Sequence, residues 1–557
     1  MRVGRIGIES NESISRFIKL TYMTIRSTGK IPLRRLESAY SAICPCMHEH
    51  VQDGIFDIGA FGYVSARLPE CIFASRNIIL GQSETFFEEM GVAISSWNEV
   101  YAKSRRRRYL YDGNETIVAF ISSKSDIDDV IPSLLCLQIE WNKAFQYFSR
   151  EGVVFSRGMK AAEIEMKAED ILGLERGALH GYSNALVAMS QRSCNFTVQN
   201  YEASYCRYRK ETEIWWQQIR RSCPDVEERK IYFVSSNTHS LINLISGFAE
   251  SIADEILGFA KNDPSLVKLV EQYFSKNTET MQKKNILYYL LMKYENSSNG
   301  VDVSARRVAY EQSVGIMRVR SLQTLDVPTQ IIDLRKVAAS CSERDTGIDL
   351  PVWIKDTDAL ILNIDYPLGR TAYFILNKIS EHVSSILGVY VIGKAASLFA
   401  QRGDILIPTC IYDQHTRNQY FFTNSISAKD VMKYIKTEEH GIYDNQKAVT
   451  VLGTLLQNVK MLNDFLLDGI TDLEMEAGPY LSAVYEILEP KRYPENESIT
   501  FSSPEFDFGI VHYVSDNPLS TDRLSTGLAL DGIDATYAVT RVVMDRIKNC
   551  LEERYRR

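Results

Sequence analysis

The sequence predicts an α/β protein of two parts, in which a mainly helical α+β N-terminal region precedes a C-terminal α/β domain. From about residue 345 onward, strand-type and helix-type patterns alternate regularly, which is typical of α/β units with parallel strands. Amphipathic helical patterns dominate the first 225 residues, with short strand-type runs between them. At 557 residues the chain is also too long for one ordinary core, so several domains are expected.

The composition is typical of a folded globular protein. Hydrophobic residues make up 45% and charged residues 24% of the chain, so disorder should not dominate. The net charge of -8 argues against a nucleic-acid-binding protein, whose contact surface would be basic. The run Arg105–Arg108 is the basic exception, and we expect a solvated surface run there, with an RNA contact as the alternative.

The sequence has no features of a membrane or secreted protein. No segment reaches the roughly 18 consecutive apolar residues that a membrane span needs, and the first residues lack the apolar core of a signal peptide. The ten cysteines are scattered without the spacing of a disulfide framework. We therefore expect a cytoplasmic protein with reduced thiols and no membrane partner.

Two features of the N-terminal region contain residue types that can carry chemistry. The segment CPCMHEH, residues 44–50, alternates cysteine and histidine, so a strand would turn all four side chains toward one face. Four alternate residues on one short segment cannot easily surround a zinc ion, and no metal site is predicted. Farther along, Glu140 and Lys143 are three residues apart in a long amphipathic helix, and we expect them to pair on its solvated face.

The patterns divide the chain into three segments. Residues 1–225 form the helical α+β region, residues 226–320 a βα unit followed by helices and a linker, and residues 321–557 the α/β domain. Within the middle segment, Lys230–Asn237 has the pattern of a strand and is followed by an amphipathic helix. The polar run ENSSNGVD at 295–302 has the composition of a linker.

Two motifs place carboxylates where α/β proteins build sites. DLEMEAGPY puts Glu476 at the start of an apolar helix, and HYVSDNPLS, about 40 residues later, puts Asp516 at the end of a strand. Parallel sheets place their ligand sites at such strand ends. We therefore expect Glu476 and Asp516 to share a site, whereas Glu474 should point elsewhere, as a supporting or surface residue.

Five motifs follow one another in the C-terminal half: NIDYPLGRTAY, YVIGKAASLFAQRGDILIP, AVTVLG, EMEAG and VSD. Their order and spacing resemble the nucleoside phosphorylase superfamily over about residues 345–557, and the ending SDNPL is most similar to AMP nucleosidases. The resemblance implies a phosphorylase-like three-layer αβα domain with a mixed central sheet. It also implies a homo-oligomeric enzyme that cleaves the N-glycosidic bond of a purine nucleoside or nucleotide, by water or phosphate and without a cofactor.

Cleavage of an N-glycosidic bond requires help at both ends of the bond. The sugar becomes cationic, as in glycoside hydrolysis, and a carboxylate that accepts its vicinal hydroxyls can stabilise that charge. A second carboxyl group can protonate the leaving base. By resemblance, Glu476 has the first role, with Met475 packed against the sugar. Asp516 has the second role and is oriented by Ser515.

The first glycine-rich turn of the superfamily binds phosphate, and in this chain it contains Gly369, Arg370 and Thr371. A guanidinium group and free N–H groups at a helix start suit a phosphate. The superfamily's repeated glycines, however, are replaced in this chain by Asp365, Tyr366 and Pro367. These residues narrow the turn and add negative charge. This departure leaves open whether the substrate is a nucleotide and whether inorganic phosphate is a co-substrate.

The remaining candidates lie around the next two strands. A turn after YVI contributes Gly393 and Lys394, and Lys394 could bind a phosphate or pair with Asp365. The run GVYVIGK has the spacing of a GxxxxGK loop, but its centre is made of strand formers and no hydroxyl residue follows. His415 could line the base or phosphate side, with a solvated loop as the alternative. If the altered first turn prevents turnover, the same pocket would belong to a non-catalytic nucleoside- or nucleotide-binding regulatory protein.

Overall fold

The computed structural model describes residues 12–27, 29–201, 204–297, 300–320, 325–436, 439–501, 504–519 and 532–556. Its strands are β1 (Ile31–Pro32), β2 (Asn77–Gly81), β3 (Asn98–Val100), β4 (Tyr109–Tyr111), β5 (Thr116–Phe120), β6 (Thr197–Asn200), β7 (Lys230–Ser236), β8 (Ile316–Val319), β9 (Thr329–Asp333), β10 (Leu360–Asp365), β11 (Ser385–Ser397), β12 (Ile405–Asp413), β13 (Gln419–Phe421), β14 (Ile442–Thr450), β15 (Ile470–Glu474), β16 (Ser498–Thr500) and β17 (Asp507–Asp516). Its α-helices are α1 (Glu12–Thr24), α2 (Arg34–Ser41), α3 (Ile58–Ser65), α4 (Glu84–Glu89), α5 (Lys124–Arg150), α6 (Ala161–Leu172), α7 (Ser183–Gln191), α8 (Tyr205–Ser222), α9 (Ser240–Ser246), α10 (Phe248–Ser251), α11 (Ala253–Lys261), α12 (Val267–Phe274), α13 (Thr280–Glu295), α14 (Gly300–Ser313), α15 (Leu334–Ala339), α16 (Thr371–His382), α17 (Ala428–Val431), α18 (Val459–Leu467), α19 (Ala477–Leu488) and α20 (Ile533–Arg556).

The first six strands form a mixed sheet in the order β1-β6-β2-β5-β4-β3. The central strand β2 pairs in parallel with β5 and β6, and the outer pairs are antiparallel. The long helix α5 begins just after β5 with a capping box, in which Ser123 and Asp126 satisfy free N–H groups of the first turn. Helices and a mixed sheet make this an α+β region, as predicted.

The other eleven strands form a second mixed sheet, in which β17 pairs with β11 and β12 beside a path of ten strands running β16-β13-β12-β14-β15-β11-β7-β10-β9-β8. Residues of α16 and α19 belong to the apolar core on one face, and residues of α9 and α20 belong to the core on the other. The first of these cores is continuous with the core of the N-terminal region. The predicted three-layer αβα domain with a mixed central sheet is therefore confirmed.

Strand β7 lies in the middle of the second sheet. It pairs in parallel with both β10 and β11, and its alternate residues enter the two opposite cores. A division of the chain at residue 320 therefore separates β7 from its sheet, because hydrogen bonds join it to strands more than a hundred residues later. The linker predicted at 295–302 includes residues 298–299, which lie outside the described residues.

Distant parts of the chain pack against three segments and change their surroundings from those expected. Residues 44–50 form turns, so the alternate cysteines and histidines do not share the face of a strand, and His48 is buried against Glu140 of α5. Glu140 and Lys143 pair as predicted, at 2.7 Å, but Glu140 is fully buried instead of solvated, and its carboxylate also lies 2.8 Å from His48 Nε2. Gly393 and Lys394 lie within β11 rather than in a turn, because both pair with β17.

The described helices and the cysteines can be compared with the expectations for a membrane protein and for disulfide bonds. None of the described helices combines the length and the apolarity that crossing a membrane requires. All ten cysteines carry free thiols.

Candidate functional site

Glu476 lies in the connection between β15 and α19, where the chain changes from strand to helix. The carboxylate of Glu474 caps this helix, since its Oε2 accepts the N–H groups of Glu476 and Ala477, both at 2.6 Å. The hydroxyl of Thr450 donates to the other oxygen of Glu474. Glu474 is thus a buried supporting residue rather than a surface one, and it holds Glu476 at the end of the strand.

The carboxyl group of Glu476 has few polar partners. Its Oε1 accepts the N–H of Gly369 at 3.3 Å. Burial raises the pKa of Glu476 to about 8, the nearby carboxylate of Glu474 adds to this, and the N–H of Gly369 opposes it. Glu476 is therefore largely protonated near neutral pH until a ligand supplies hydrogen-bond donors to its anion.

The raised pKa predicts a pH-dependent stability that Glu476→Gln should reduce. Between the ordinary value of 4.5 and about 8, the native state keeps a proton that the unfolded chain loses. The free energy of unfolding of the wild type should therefore fall as pH rises through this window, by at most about 1.4 kcal/mol per pH unit. Thermal unfolding at about pH 5 and about pH 8 measures the difference, which should be smaller in the variant.

The matched control for this prediction is Glu489→Gln, which neutralises an exposed glutamate at the other end of α19. It should keep the pH dependence of the wild type. An equal pH dependence in Glu476→Gln and the wild type would contradict the raised pKa.

Asp516 is the last residue of β17, as predicted. The hydroxyl of Ser515 donates to its Oδ2 at 2.7 Å and lies 3.2 Å from the carbonyl oxygen of Ala395. The other oxygen, Oδ1, is buried and has no hydrogen-bond partner among the described residues. One oxygen of this carboxyl group is thus fixed by a hydrogen bond, and the other has no hydrogen-bond partner among the described residues.

Strand β11 brings the two predicted carboxylates to one region of the sheet. Ala396 of β11 pairs with Asp516 of β17 and also with Leu473 of β15. The Asp516 carboxyl and the connection that holds Glu476 therefore flank the same end of β11. The sequence prediction that these two motifs meet is consistent with this register, although the catalytic roles of the residues stay predictions.

The sequence analysis did not predict a buried ion pair between His512 of β17 and Asp472 of β15. His512 Nδ1 is 2.7 Å from Asp472 Oδ2, and both side chains are buried. Burial lowers the pKa of His512, but Asp472 and the two carboxylates of Glu474 and Glu476 raise it above its ordinary value. The sequence could have indicated that Asp472 faces the site, because the alternation of side chains along a strand places Asp472 on the same face as Glu474.

Gly393 is required beside this pair. A Cβ atom at residue 393 would approach His512 Cδ2 to 2.8 Å, closer than real side chains come. The glycine therefore allows the imidazole to lie against β11. Its neighbour Lys394 is exposed, but burial of part of its side chain lowers the pKa of the ammonium group below its ordinary value, and the negative charge of Asp516 opposes this shift.

The glycine-rich turn after β10 contacts the N-terminal region. Gly369 has a positive φ of 52°, and the N–H of Arg370 donates to Ser125 Oγ of α5 at 3.0 Å. The hydroxyls of Thr371 and Ser122 lie 3.0 Å apart. The donors that the resemblance assigns to phosphate are therefore engaged by serines at the start of α5.

The guanidinium group of Arg370 also has a partner within the protein. It donates to the hydroxyl of Tyr493 at 3.0 Å. His415 lies near this turn, and its Nε2 is buried without a hydrogen-bond partner among the described residues. Burial and the positive charge of Arg370 hold the pKa of His415 well below its usual value, so the segment is not a solvated loop.

A cavity of about 200 Å³ lies between the N-terminal sheet and the second sheet, and Glu476 lines it. The other lining residues that matter here are Arg105, Arg106, Arg107, Phe120, Asp326, Asp365, Tyr366 and Thr371. Met475, by contrast, packs against the apolar core, and Asp516 is not among the described residues that line the cavity. Of the predicted site residues, Glu476 and Thr371 thus line this cavity.

The basic run Arg105–Arg108 is not a solvated surface run. Arg107 is 1% exposed and lies 2.7 Å from Asp126, and Arg105 lies 2.7 Å from Asp129. Arg106 crosses the cavity to contact Asp365. Arg105 and Arg107 are buried because they pair with carboxylates at the start of α5. The sequence of the run itself does not indicate these partners.

Several solved structures are similar to this chain, although only weakly. They include S-adenosylhomocysteine nucleosidase from Streptococcus pyogenes in complex with 5-methylthiotubericidin (9% identity, TM-score 0.28, 58% of this chain and 97% of that chain). They also include 5′-methylthioadenosine/S-adenosylhomocysteine nucleosidase from Neisseria meningitidis in complex with methylthio-immucillin-A (12%, 0.27, 44% and 94%). A third is a double mutant of adenosine/methylthioadenosine phosphorylase from Schistosoma mansoni in complex with adenine (10%, 0.25, 34% and 75%). These scores are too low to assign an activity to this chain.

Sequence comparisons lead to a family without a known activity. None of the curated proteins matches the sequence. The model of the family of unknown function DUF6909 matches residues 33–549, nearly the whole chain, and the chain therefore belongs to that family.

Proposed function

We propose that the protein hydrolyses the N-glycosidic bond of a purine nucleoside or nucleotide. The observation that carries the proposal is the carboxyl group of Asp516, with Oδ2 held by Ser515 and Oδ1 buried without a partner, beside the connection that holds Glu476. The resemblance of the motifs EMEAG and VSD to the nucleoside phosphorylase superfamily supports it. The predicted homo-oligomer remains an expectation from that resemblance.

The two carboxyl groups would act at opposite ends of the bond. Ionised Glu476 accepts the vicinal ribose hydroxyls and stabilises positive charge at C1′. Asp516 gives a proton to the base as the electron pair of the C1′–N bond moves onto it. Water adds to C1′, and the proton it loses restores Asp516 through solvent. The products are the free base and the sugar, which keeps its 5′-phosphate if the substrate is a nucleotide.

Water is favoured over phosphate as the attacking group. The N–H of Arg370 and the hydroxyl of Thr371 are engaged by Ser125 and Ser122, and the guanidinium of Arg370 is held by Tyr493. A Cβ atom at Gly369 would lie only 2.4 Å from Ser125 Oγ, which shows how closely α5 approaches the turn. Phosphate would have to displace these contacts before it could bind.

The test is base release from a panel of purine nucleosides and nucleotides, with and without inorganic phosphate, followed by chromatography. We expect release in the absence of phosphate and no acceleration by phosphate, with the free sugar as the second product from a nucleoside and the sugar 5-phosphate from a 5′-nucleotide. A sugar carrying phosphate at C1 as the product would show a phosphorylase. Tight binding without any release would favour the alternative of a non-catalytic binding protein.

A further inference from the structure

The buried pair of His512 and Asp472 links the two motifs that contain Glu476 and Asp516. Asp472 is the first residue of DLEMEAGPY and lies four positions before Glu476. His512 is the first residue of HYVSDNPLS and lies four positions before Asp516. Because His512 Nδ1 is 2.7 Å from Asp472 Oδ2, the pair joins the strand that leads to Glu476 to the strand that ends at Asp516.

The pair reaches across β11, which lies between the two strands concerned. At Ala396, β11 pairs both with β17 and with β15. Gly393 of β11 is paired directly with His512, and a Cβ atom there would approach His512 Cδ2 to 2.8 Å. The missing side chain at residue 393 therefore gives the imidazole the room to cross β11 and meet Asp472.

The positive member of the pair acts on the two glutamates beside it. Burial raises the pKa of Glu474 to about 7 and that of Glu476 to about 8, and the positive charge of His512 opposes the shift in both. Asp472 adds to the shift of Glu474, but by less than His512 opposes it. The pair thus presents net positive character to these carboxyl groups, although it is neutral as a whole.

Two cations, Arg105 and His512, favour the ionised form of Glu476. Arg105 comes from the N-terminal region and is already paired with a carboxylate of α5. His512 comes from the sheet that carries the site, so its effect on Glu476 does not depend on the N-terminal region. Other titratable or charged groups around Glu476 include Glu474, Tyr366, Tyr480, Arg106, Asp326 and Asp365.

We propose that His512 is a positioning residue, which Asp472 holds across β11 so that it fixes the two motifs together and stabilises the carboxylate of Glu476. The inference rests on the proposed function, in which ionised Glu476 accepts the ribose hydroxyls. His512 and Asp472 are not among the described residues that line the cavity, so the pair acts through Glu476 rather than on the substrate.

The first measurement needs no ligand and uses the double variant His512→Gln/Asp472→Asn. Removing both partners avoids leaving a buried charge unpaired. The effect of Glu476→Gln on the unfolding temperature is measured against pH, in the wild-type background and in the double variant. Native Glu476 keeps a proton that the unfolded chain loses, so the effect should change with rising pH until about pH 8 in the wild-type background. In the double variant this limit should lie about one pH unit higher, because the anion has lost a neighbouring cation.

The second measurement is the pH profile of kcat/KM for base release from adenosine. At about pH 7 the double variant should be about tenfold slower than the wild type and should recover at higher pH, since one unit of pKa is a factor of ten. His180→Gln is the matched control, because it removes a histidine that is 89% exposed and should change neither measurement. Gly393→Ala displaces the imidazole without removing a charge and should shift both measurements in the same direction, which provides a test if the double variant does not fold.

The outcomes separate this proposal from the proposed function. An unmoved pH limit in the folded variants would overturn the role of His512, whether or not the protein releases base. A raised limit in a protein that releases no base would overturn the hydrolase and support the stabilisation of Glu476 by His512. Base release by the double variant with the kcat/KM profile of the wild type would leave the hydrolase intact and remove His512 from it.

Discussion

Replacing Asp516 by asparagine should abolish base release and leave the fold intact. Asparagine has nearly the same shape, and its side-chain oxygen can still accept the hydroxyl of Ser515, which now donates to Asp516 at 2.7 Å. It cannot, however, give a proton to a leaving base. General acid catalysis contributes about 100- to 10,000-fold to a rate, so kcat should fall by that factor while substrate binding persists.

The measurement is initial rates of base release, together with calorimetric binding and thermal unfolding of the same variant. Asp468→Asn is the matched control, because Asp468 is an exposed aspartate just before β15 and should keep full activity. Undiminished turnover in Asp516→Asn, with a normal unfolding temperature, would remove Asp516 from the mechanism. Loss of both activity and folding would call for Asp516→Glu, which keeps the acid and should retain measurable release.

Replacing Glu140 by alanine should destabilise the N-terminal region more than any exposed substitution. The Glu140 carboxylate contacts His48 Nε2 at 2.8 Å and Lys143 Nζ at 2.7 Å, and it accepts the N–H of Asp57 at 2.6 Å. All of these groups are buried or half-buried. Removing the carboxylate therefore leaves two donors without their acceptor, and it leaves the Lys143 ammonium group with only the carbonyl oxygens of His50 and Ile55. Breaking a buried pair in this way costs about 3–5 kcal/mol.

Unfolding by urea, followed by the fluorescence of the five tryptophans, measures this loss. Glu163→Ala, on α6, removes a glutamate that is 59% exposed and should change the free energy of unfolding by no more than about 0.5 kcal/mol. A similar small change in Glu140→Ala would mean that water or rearranged side chains replace the lost contacts.

Local patterns in the sequence were sufficient for much of the second sheet. Runs such as ALILNID and FGIVHYVSD are strands because buried parallel strands are continuously apolar, and they appear as β10 and β17. The positions of Glu476 at a helix start and Asp516 at a strand end follow from the same patterns. The position of β7 between β10 and β11 does not, because strand order depends on pairing between distant segments.

The burial of charged residues was the feature of the structure that the sequence predicted least well. The run Arg105–Arg108 and the pair Glu140 and Lys143 have the pattern of solvated surface groups. Every one of these side chains except that of Arg106 is nevertheless largely buried in an ion pair. A charged residue can be buried only where its partner arrives from another part of the chain. The sequence next to the residue carries no information about that partner.

Sequence patterns were enough to predict the fold class, to identify the two carboxylate motifs and to show that residues 365–367 depart from the superfamily pattern. The meaning of that departure depends on long-range contacts. Asp365 meets Arg106 from the N-terminal sheet, and Ser122 and Ser125 of the N-terminal region engage the turn that follows. These contacts join residues about 250 positions apart in the chain, and hydrophobic periodicity, which reports only local structure, cannot anticipate them.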